Sequence, residues 1–344
     1  MKTIKQLLIT IAVLLCSMMA NADSFVFEIN GIYYRSFMGY QDAYVTYPEY
    51  GYKYSGSIVI PSTISYSGEV YSVTRIENDA FKDCSGLTSI SIPGSVTYIG
   101  SSAFSGCSGL TSITIPESVK NVHSDAFHDC TSLRTLFIED GEQTIEIGFR
   151  VFQGCPLETI YLGRNPDFFY NYYSSNYDEI DDIGDDIFPF YDIRTLKTLT
   201  MGRNVIGIFK KMFYYCNNLE SIYMTSIPPS VAEDSFSNAN YYGATLYVPK
   251  GTLAFYQSAD VWKNFWNIQE YEPTAIEDID ANIPNFTITS NGISLSNASN
   301  STVAIYSING MLVKKIDKYA GEEIALEKGV YIVSVGDKAM KIKL

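Results

Sequence analysis

The chain has 344 residues, of which 46% are hydrophobic, so it is long enough for about two domains with apolar cores. Its formal net charge of −14 argues against nucleic acid and anionic lipid headgroups as partners, because an acidic surface repels their phosphates. Glycine and proline are near ordinary levels, which argues against a wholly disordered chain.

Residues 1–22 have the pattern of a secretory signal peptide. Lys2 and Lys5 give a positive start, residues 7–19 are mostly apolar, and Ala20-Asn21-Ala22 supplies a small-x-small cleavage site. The apolar run is too short for a transmembrane helix. Cys16 raises the alternative of a lipoprotein signal, but Leu15 before it is not small. We therefore expect a protein that is secreted or held at the cell surface, on the exterior of the outer membrane.

The middle of the chain repeats the pattern F-x-x-C-x-x-L-x-x-I-x-I-P, in most copies every 23 residues. The phenylalanines that open the copies are Phe81, Phe104, Phe127, Phe152, Phe190, Phe213 and Phe236. In the last copy Ala239 takes the cysteine slot and Tyr242 the leucine slot. A fixed period of this length is typical of a solenoid, in which stacked coils bury one continuous core.

Each copy contains an alternating segment such as Ile113-Thr114-Ile115, which predicts a strand with its isoleucines inward and its threonine outward. The "AFSGC" segment is too short for an independent helix and predicts a single helical turn. The predicted fold is therefore a mainly-β repeat solenoid with short helical turns, about seven coils of ~23 residues each.

The extended pattern F-x-x-C-x-x-L-x-x-I-x-I-P-x-S-V-x-x-I-G-x-x-A resembles the BspA-type leucine-rich repeat of bacterial surface proteins. The segments "INGIYYRSF…GSIVIPSTISYSGEVYSVTRI" and "ATLYVPKGTLAFYQSADVWKNFWNIQEY" resemble the N-terminal and C-terminal caps of that family. The resemblance implies an N-terminal cap at residues 23–79 and a repeat region at 80–271. That region contains an insertion at 164–189 and a C-terminal cap at 237–271. The implied role is adhesion to host proteins, other bacteria or surface glycans.

The end of the chain has a different character. Residues 272–285 are polar and proline-punctuated, which predicts a linker. Residues 286–344 form short alternating runs, with a hairpin signal at Asn309-Gly310, and predict a small Ig-like antiparallel β-sandwich. The run "VAIYSINGMLVKKI…IALEKGVYIVSVGDKAMKIKL" is similar to the C-terminal sorting domain of type IX secretion substrates. This similarity implies contact with outer-membrane secretion machinery. The alternative is a sandwich that only stabilises the solenoid.

Single cysteines recur in the repeat rather than pairs. After removal of the signal peptide the chain keeps Cys84, Cys107, Cys130, Cys155 and Cys216. Export invites disulfides, and cysteines in adjacent coils would be within reach of each other, but five is an odd number. Because apolar Ile193 and Ala239 occupy the same slot, we interpret the series as a buried core ladder. Tight C-x-x-C pairs, as in zinc sites, are absent from the sequence.

Chemistry-bearing motifs are otherwise scarce. His123 and His128 are interpreted as solvated, and no nucleophile stands beside a base in a site-like context. We therefore expect no enzymatic activity and no cofactor.

The insertion at residues 164–189 is rich in tyrosine, phenylalanine and aspartate. Its carboxylates offer a weak alternative of calcium binding, which would use Asp178, Asp181, Asp182, Asp185 and Asp186. Their spacing lacks the ligand order of an EF-hand, so a solvated acidic loop is favoured.

The outward strand positions carry the candidate binding site. If the strands stack in register, Phe137, Tyr161, Tyr223 and Tyr247 form an aromatic line on the later coils. Beside it lies a line of hydroxyl groups that includes Thr135, Thr159, Thr198 and Ser221. This combination is common in protein and glycan recognition, but cross-strand stacking without a ligand is an equal alternative.

These observations predict a monomeric, non-enzymatic recognition or adhesion protein that binds an extracellular protein or glycan through the exposed strand face. Two alternatives are a glycan-binding component of a saccharide-uptake system and a structural envelope protein without its own ligand.

Overall fold

The structure is a computed structural model. It describes residues 24–48, 51, 53–168, 188–272, 286–289, 292–295, 301–307, 312–326, 330–335 and 338–343. The predicted signal peptide, most of the predicted linker and the carboxylates of the calcium alternative lie outside these residues. Among the described residues, no helix has the length and apolar character needed to cross a membrane.

The N-terminal region is built from short strands rich in aromatic and β-branched residues. They are β1 (Ser24–Ile29), β2 (Ile32–Phe37), β3 (Asp42–Val45), β4 (Gly56–Val59), β5 (Thr63–Tyr66) and β6 (Glu69–Ile76). The pairs β1–β2, β2–β3 and β5–β6 are antiparallel, whereas β3–β6 is parallel. This region therefore converts an antiparallel start into the parallel pairing of the coils that follow.

Most of the coils then combine a longer front strand with a shorter back strand, whereas the last two strands of the solenoid both belong to the front sheet. The strands are β7 (Leu87–Ser91), β8 (Tyr98–Ile99), β9 (Ser112–Ile115), β10 (Asn121–Val122), β11 (Thr135–Ile138), β12 (Ile145–Ile147), β13 (Thr159–Arg164), β14 (Pro166–Phe168), β15 (Thr198–Asn204), β16 (Gly207–Ile208), β17 (Ser221–Met224), β18 (Ser230–Val231), β19 (Thr245–Pro249) and β20 (Asn267–Tyr271). The helices are α1 (Asn238–Gly243), α2 (Leu253–Ser258) and a 3₁₀ turn at Trp262–Asn264.

Two large sheets result from this arrangement, together with the short parallel pairs β4–β7 and β16–β18. The front sheet has seven strands in the order β20-β19-β17-β15-β13-β11-β9, and every pair in it is parallel. The back sheet continues the N-terminal region through β6-β8-β10-β12-β14. The predicted mainly-β repeat solenoid is confirmed.

One continuous apolar core fills the space between the sheets, and it extends from Phe27 to Phe265. Its axis is a stack of phenylalanine rings, one from each coil. Ring centroids of consecutive coils are 5.0 to 5.7 Å apart, and the planes differ by 3° to 12°. Tyr54 extends the stack at its start, 4.7 Å from Phe81, and Trp262 closes its end, 5.8 Å from Phe236. The two caps therefore bury the exposed ends of the stack.

The last coil departs from the predicted slots. Ala239 and Tyr242 are exposed, whereas Asn240 and Tyr241 are buried. The cause is the short helix α1. Its helical geometry directs Asn240 and Tyr241 toward the core, whereas an unbroken repeat would direct Ala239 and Tyr242 there. The Asn240 side chain then donates a hydrogen bond to the Cys216 carbonyl oxygen at 2.7 Å.

The end of the fourth coil holds the one charged residue that is buried among the described residues. Arg164 closes β13 and donates to the carbonyl oxygens of Pro116 and Glu117, at 2.9 and 2.8 Å. Burial lowers the pKa of the Arg164 guanidinium to about 10, although Glu117 and Glu139 lie nearby and raise it. Arg164 and residues 166–168 therefore belong to the strands of this coil.

The C-terminal region contains two antiparallel sheets. Its strands are β21 (Phe286–Ile288), β22 (Gly292–Leu295), β23 (Val303–Ser307), β24 (Leu312–Ile316), β25 (Ile324–Ala325), β26 (Val330–Val335) and β27 (Lys338–Lys343). The sheets β21-β22-β25 and β24-β23-β26-β27 share a small core that includes Ile293, Ile305 and Val333. The Asn309-Gly310 turn lies outside the described residues, between the paired strands β23 and β24.

Replacing a central ring of the phenylalanine stack should destabilise the solenoid strongly. Phe127 is fully buried between Phe104 and Phe152, so Phe127→Ala should lower the free energy of unfolding by ~3–5 kcal/mol. Urea unfolding followed by circular dichroism measures this change. The control is Phe255→Ala, at a side chain 58% exposed, which should change stability by less than ~0.5 kcal/mol. Equal effects of the two substitutions would contradict the role of the stack.

Candidate functional site

The outward positions of the front sheet form two rows in register. The first, called here the aromatic row, contains Thr114, Phe137, Tyr161, Thr200, Tyr223, Tyr247 and Gln269. The second, called the hydroxyl row, contains Ser112, Thr135, Thr159, Thr198, Ser221, Thr245 and Asn267. Both rows arise because alternate residues of a strand face the same side of the sheet.

The aromatic row is divided into two stacked pairs. The Phe137 and Tyr161 rings are 4.4 Å apart with planes 10° from parallel, and the Tyr223 and Tyr247 rings are 4.6 Å apart at 8°. Thr200 lies between the pairs and is only 8% exposed. The four aromatic residues singled out from the sequence thus share one row, with a gap of one strand between the second and the third.

Polar and aromatic neighbours hold these rings in place. The Tyr161 hydroxyl donates a hydrogen bond to Asp140 Oδ1 at 2.9 Å. Burial and the nearby Asp140 carboxylate raise the pKa of Tyr161, so its hydroxyl stays protonated at neutral pH. Tyr271 packs edge-on against Tyr223 at 5.6 Å and Tyr247 at 6.4 Å. Its hydroxyl donates to the Met224 carbonyl oxygen at 2.9 Å, which anchors the ring over the sheet. Both pairs are therefore fixed before any ligand arrives.

A third row, called the charge row, was not anticipated from the sequence. It consists of the residues that directly precede the hydroxyl row in four successive coils, namely Arg134, Glu158, Lys197 and Glu220. Glu158 accepts from Lys197 at 3.0 Å and lies 3.7 Å from Arg134. These side chains are largely exposed, so their ion pairs add little stability. The alternation of charge at one repeat slot is the signal that would have revealed the row.

The five cysteines of the repeat are buried and form no disulfide bond. Four of the thiols donate a hydrogen bond to the phenylalanine carbonyl oxygen of the preceding coil: Cys107 to Phe81, Cys130 to Phe104, Cys155 to Phe127 and Cys216 to Phe190. The sulfur–oxygen distances are 3.0 to 3.2 Å. Each thiol therefore fills the core and satisfies a backbone acceptor, which Ile193 in the same slot does not do.

Burial also suppresses the reactivity of these thiols. It raises the pKa of Cys107, and it raises that of Cys216 to about 12, well above the ordinary value of a free thiol. The thiolate is the reactive form, so little of it exists at neutral pH.

The histidines do not assemble a catalytic group. His128 Nδ1 lies 3.3 Å from Asp129 Oδ2, but the neighbouring Cys130 thiol points into the core and bonds to Phe104. His123 instead packs against the Tyr98 ring at 4.5 Å. Across the described part of the chain, no three potential metal ligands cluster together. The aspartates of the calcium alternative are outside this part.

The fold is that of a leucine-rich repeat solenoid, and its front sheet carries the aromatic, hydroxyl and charge rows. The model of the BspA type leucine-rich repeat region matches residues 57–181 and 176–259, in six copies. The chain therefore belongs to the BspA-type leucine-rich repeat family. No curated protein matches it.

Several solved structures are similar to the chain. A leucine-rich repeat protein from T. pallidum is 21% identical, with 69% of this chain and 92% of that chain covered and a TM-score of 0.43. One from Bacteroides ovatus is 20% identical, with 71% and 76% covered and a TM-score of 0.39. The pneumococcal vaccine antigen PcpA is 16% identical, with 72% and 99% covered and a TM-score of 0.20. Similarity at this level does not extend to function.

The cysteines should react only after unfolding. Because they are buried and the pKa values of Cys107 and Cys216 are raised, the native chain without its signal peptide should bind almost no Ellman's reagent at pH 8. All five thiols should react in guanidinium chloride. A control variant with one cysteine placed at exposed Tyr40 should react at once in the native state. Rapid reaction of the native thiols without that added cysteine would contradict the buried ladder.

Proposed function

We propose that this protein is an exported recognition protein whose front sheet binds the surface of another extracellular protein, as an adhesin does. The observation that carries the proposal is the aromatic row, with two rigid stacked pairs on a sheet of seven strands. Aromatic rings beside small hydroxyl groups are the side chains that protein-binding surfaces favour.

A comparison of neighbouring coils indicates that the aromatic row is not required for folding. Thr114 occupies the row in the coil before Phe137, and the two strands pair in register. The inward residues of both coils are equally buried. A coil therefore folds with a small residue at this slot, so stacking is not a requirement of the solenoid. Aromatic residues that the fold does not require are best explained by a ligand.

The dimensions of the front sheet suit a protein partner. The aromatic and hydroxyl rows hold seven residues each and the charge row four, so together they supply about eighteen side chains, close to the ~20–30 per side of a standard interface. Because the rings are already anchored by Asp140 and Tyr271, binding costs little further ordering of side chains.

Export and domain organisation belong to the same proposal. Residues 1–22 serve as the signal peptide, and residues 23–271 form the capped solenoid. After a linker at 272–285, residues 286–344 act as an Ig-like sorting domain that engages the outer-membrane secretion machinery. The shared core of the two antiparallel C-terminal sheets supports a separate sandwich, and membership of the BspA-type family supports a location at the cell surface.

Removing the aromatic pairs should abolish binding without unfolding the chain. The mature protein is passed over immobilised fibronectin, fibrinogen, laminin and collagen in surface plasmon resonance. Tyr223→Ser/Tyr247→Ser and Phe137→Ser/Tyr161→Ser should each weaken binding by at least about 30-fold, as expected for interface hot spots. Thermal melts followed by circular dichroism verify that both variants remain folded.

The matched control is Tyr40→Ser, which removes an aromatic ring that is 61% exposed in the N-terminal region. It should leave binding unchanged. Equal affinity of all three variants, or binding to none of the four proteins, would overturn the proposal. Binding only to polysaccharide through the aromatic row would favour the saccharide-uptake alternative instead.

A further inference from the structure

The C-terminal cap exposes an aromatic pair that the proposed protein-binding row does not include. Trp266 is 79% exposed, more than any other large apolar side chain of the described residues, and Tyr242 is 61% exposed. Their ring centroids are 4.9 Å apart with planes at 87°. An exposed tryptophan of this degree is uncommon in a stable cap, because burial of the indole would contribute to stability.

The residues beside this pair already satisfy the packing needs of the cap. Tyr241 and Phe265 are buried and touch edge to face at 5.1 Å. The Trp266 backbone N–H donates to the Tyr241 carbonyl oxygen at 2.9 Å, which fixes the two segments to each other. The inner pair therefore holds the cap together, and the outer pair, Tyr242 and Trp266, is presented to solvent on an anchored backbone.

A polar groove adjoins the outer pair. Its volume is about 530 Å³, and it runs along the charge row from Glu158 to Gly243, the neighbour of Tyr242. Four coils contribute to it, which corresponds to a length of about 14 Å at the usual strand spacing. Arg194, Lys197, Asn218 and Glu220 line it, and Leu219 is its apolar side chain. Asn267, the residue after Trp266, donates to the Thr245 hydroxyl at 2.8 Å, so polar side chains continue to the strand that follows Trp266.

The groove is organised before binding. Lys197 bonds to Glu158 at 3.0 Å, Arg194 to Asp192 at 2.7 Å, and the Asn218 amide to the Arg194 carbonyl oxygen at 2.7 Å. Lys and Arg carry more donors than these bonds use. The lining therefore offers hydrogen-bonding groups, and it ends at Gly243, the residue after Tyr242.

This combination matches the chemistry of a sugar chain. A pyranose ring has a face of C–H bonds that packs on an aromatic ring and a rim of hydroxyls that bond to charged and amide side chains. The groove mixes two cations with two carboxylates, and the whole chain carries −14, so an anionic chain gains no attraction. A peptide would require apolar pockets for its side chains, whereas the one apolar side chain in this lining, Leu219, is buried.

We infer that Trp266 and Tyr242, with the adjoining groove, form a second binding site that takes a neutral oligosaccharide chain. One sugar ring packs on the Trp266 indole, and the following units lie along Glu220 and Lys197. The site shares the charge row with the proposed protein-binding surface, but its aromatic rings are not those of the aromatic row, and it goes beyond the proposed protein-binding function.

Affinity electrophoresis of the mature protein tests the inference. Gels contain galactomannan, xyloglucan or mixed-linkage β-glucan as neutral probes and polygalacturonate as an anionic probe. At least one neutral polysaccharide should retard the protein, and polygalacturonate should not. Trp266→Ala should weaken the interaction by at least about tenfold, because it removes the stacking surface. Trp266→Phe should retain part of it.

Control variants separate this site from the protein-binding row. Tyr40→Ala removes a ring with the same exposure as Tyr242, 61%, and should leave retardation unchanged. Tyr223→Ser/Tyr247→Ser should also keep polysaccharide binding, while Trp266→Ala should keep protein binding. No retardation by any neutral probe, or equal retardation of Trp266→Ala and the unmodified protein, would overturn the inference. Stronger binding to polygalacturonate would overturn the assignment to neutral chains.

Discussion

The near-parallel stack of phenylalanine rings is the interaction on which the rest of the solenoid depends. Consecutive rings 5.0 to 5.7 Å apart fit the spacing of adjacent strands, so one ring per coil sets the distance at which the next coil docks. The cysteine ladder works at the same level, because each thiol bonds to the carbonyl of a stacked phenylalanine one coil earlier. Because the core side chains of successive coils are in register, the outward residues of the same strands are also in register. The exposed rows are therefore a consequence of the core.

A stack of this kind has two ends, and the caps exist to bury them. Tyr54 and Trp262 continue the column with rings from outside the repeat. The Trp262 indole N–H also donates to the Pro229 carbonyl oxygen at 2.8 Å, so the closing ring is hydrogen-bonded as well as packed. At the C-terminal end, the phenylalanine stack is closed without Trp266. The exposed Trp266 side chain is therefore available for a role other than packing.

Much of the solenoid could be predicted because each slot imposes the same distance and polarity in every coil. Leu136 and Ile160 pair in register and are both fully buried, as their shared slot requires. Residues that act between coils could not be predicted in this way. Arg164 reaches carbonyl groups 47 and 48 residues earlier, and Tyr271 reaches across β19 to Met224, so neither leaves a periodic signal. Asn240 was missed because α1 shifts the register of the last coil.

The three exposed rows are narrow enough to act on one partner. Glu220 in the charge row lies three positions before Tyr223 in the aromatic row, which corresponds to about 10 Å of extended chain. The hydroxyl row lies between them and borders both. A folded protein that covers the aromatic row therefore also reaches the groove beside it.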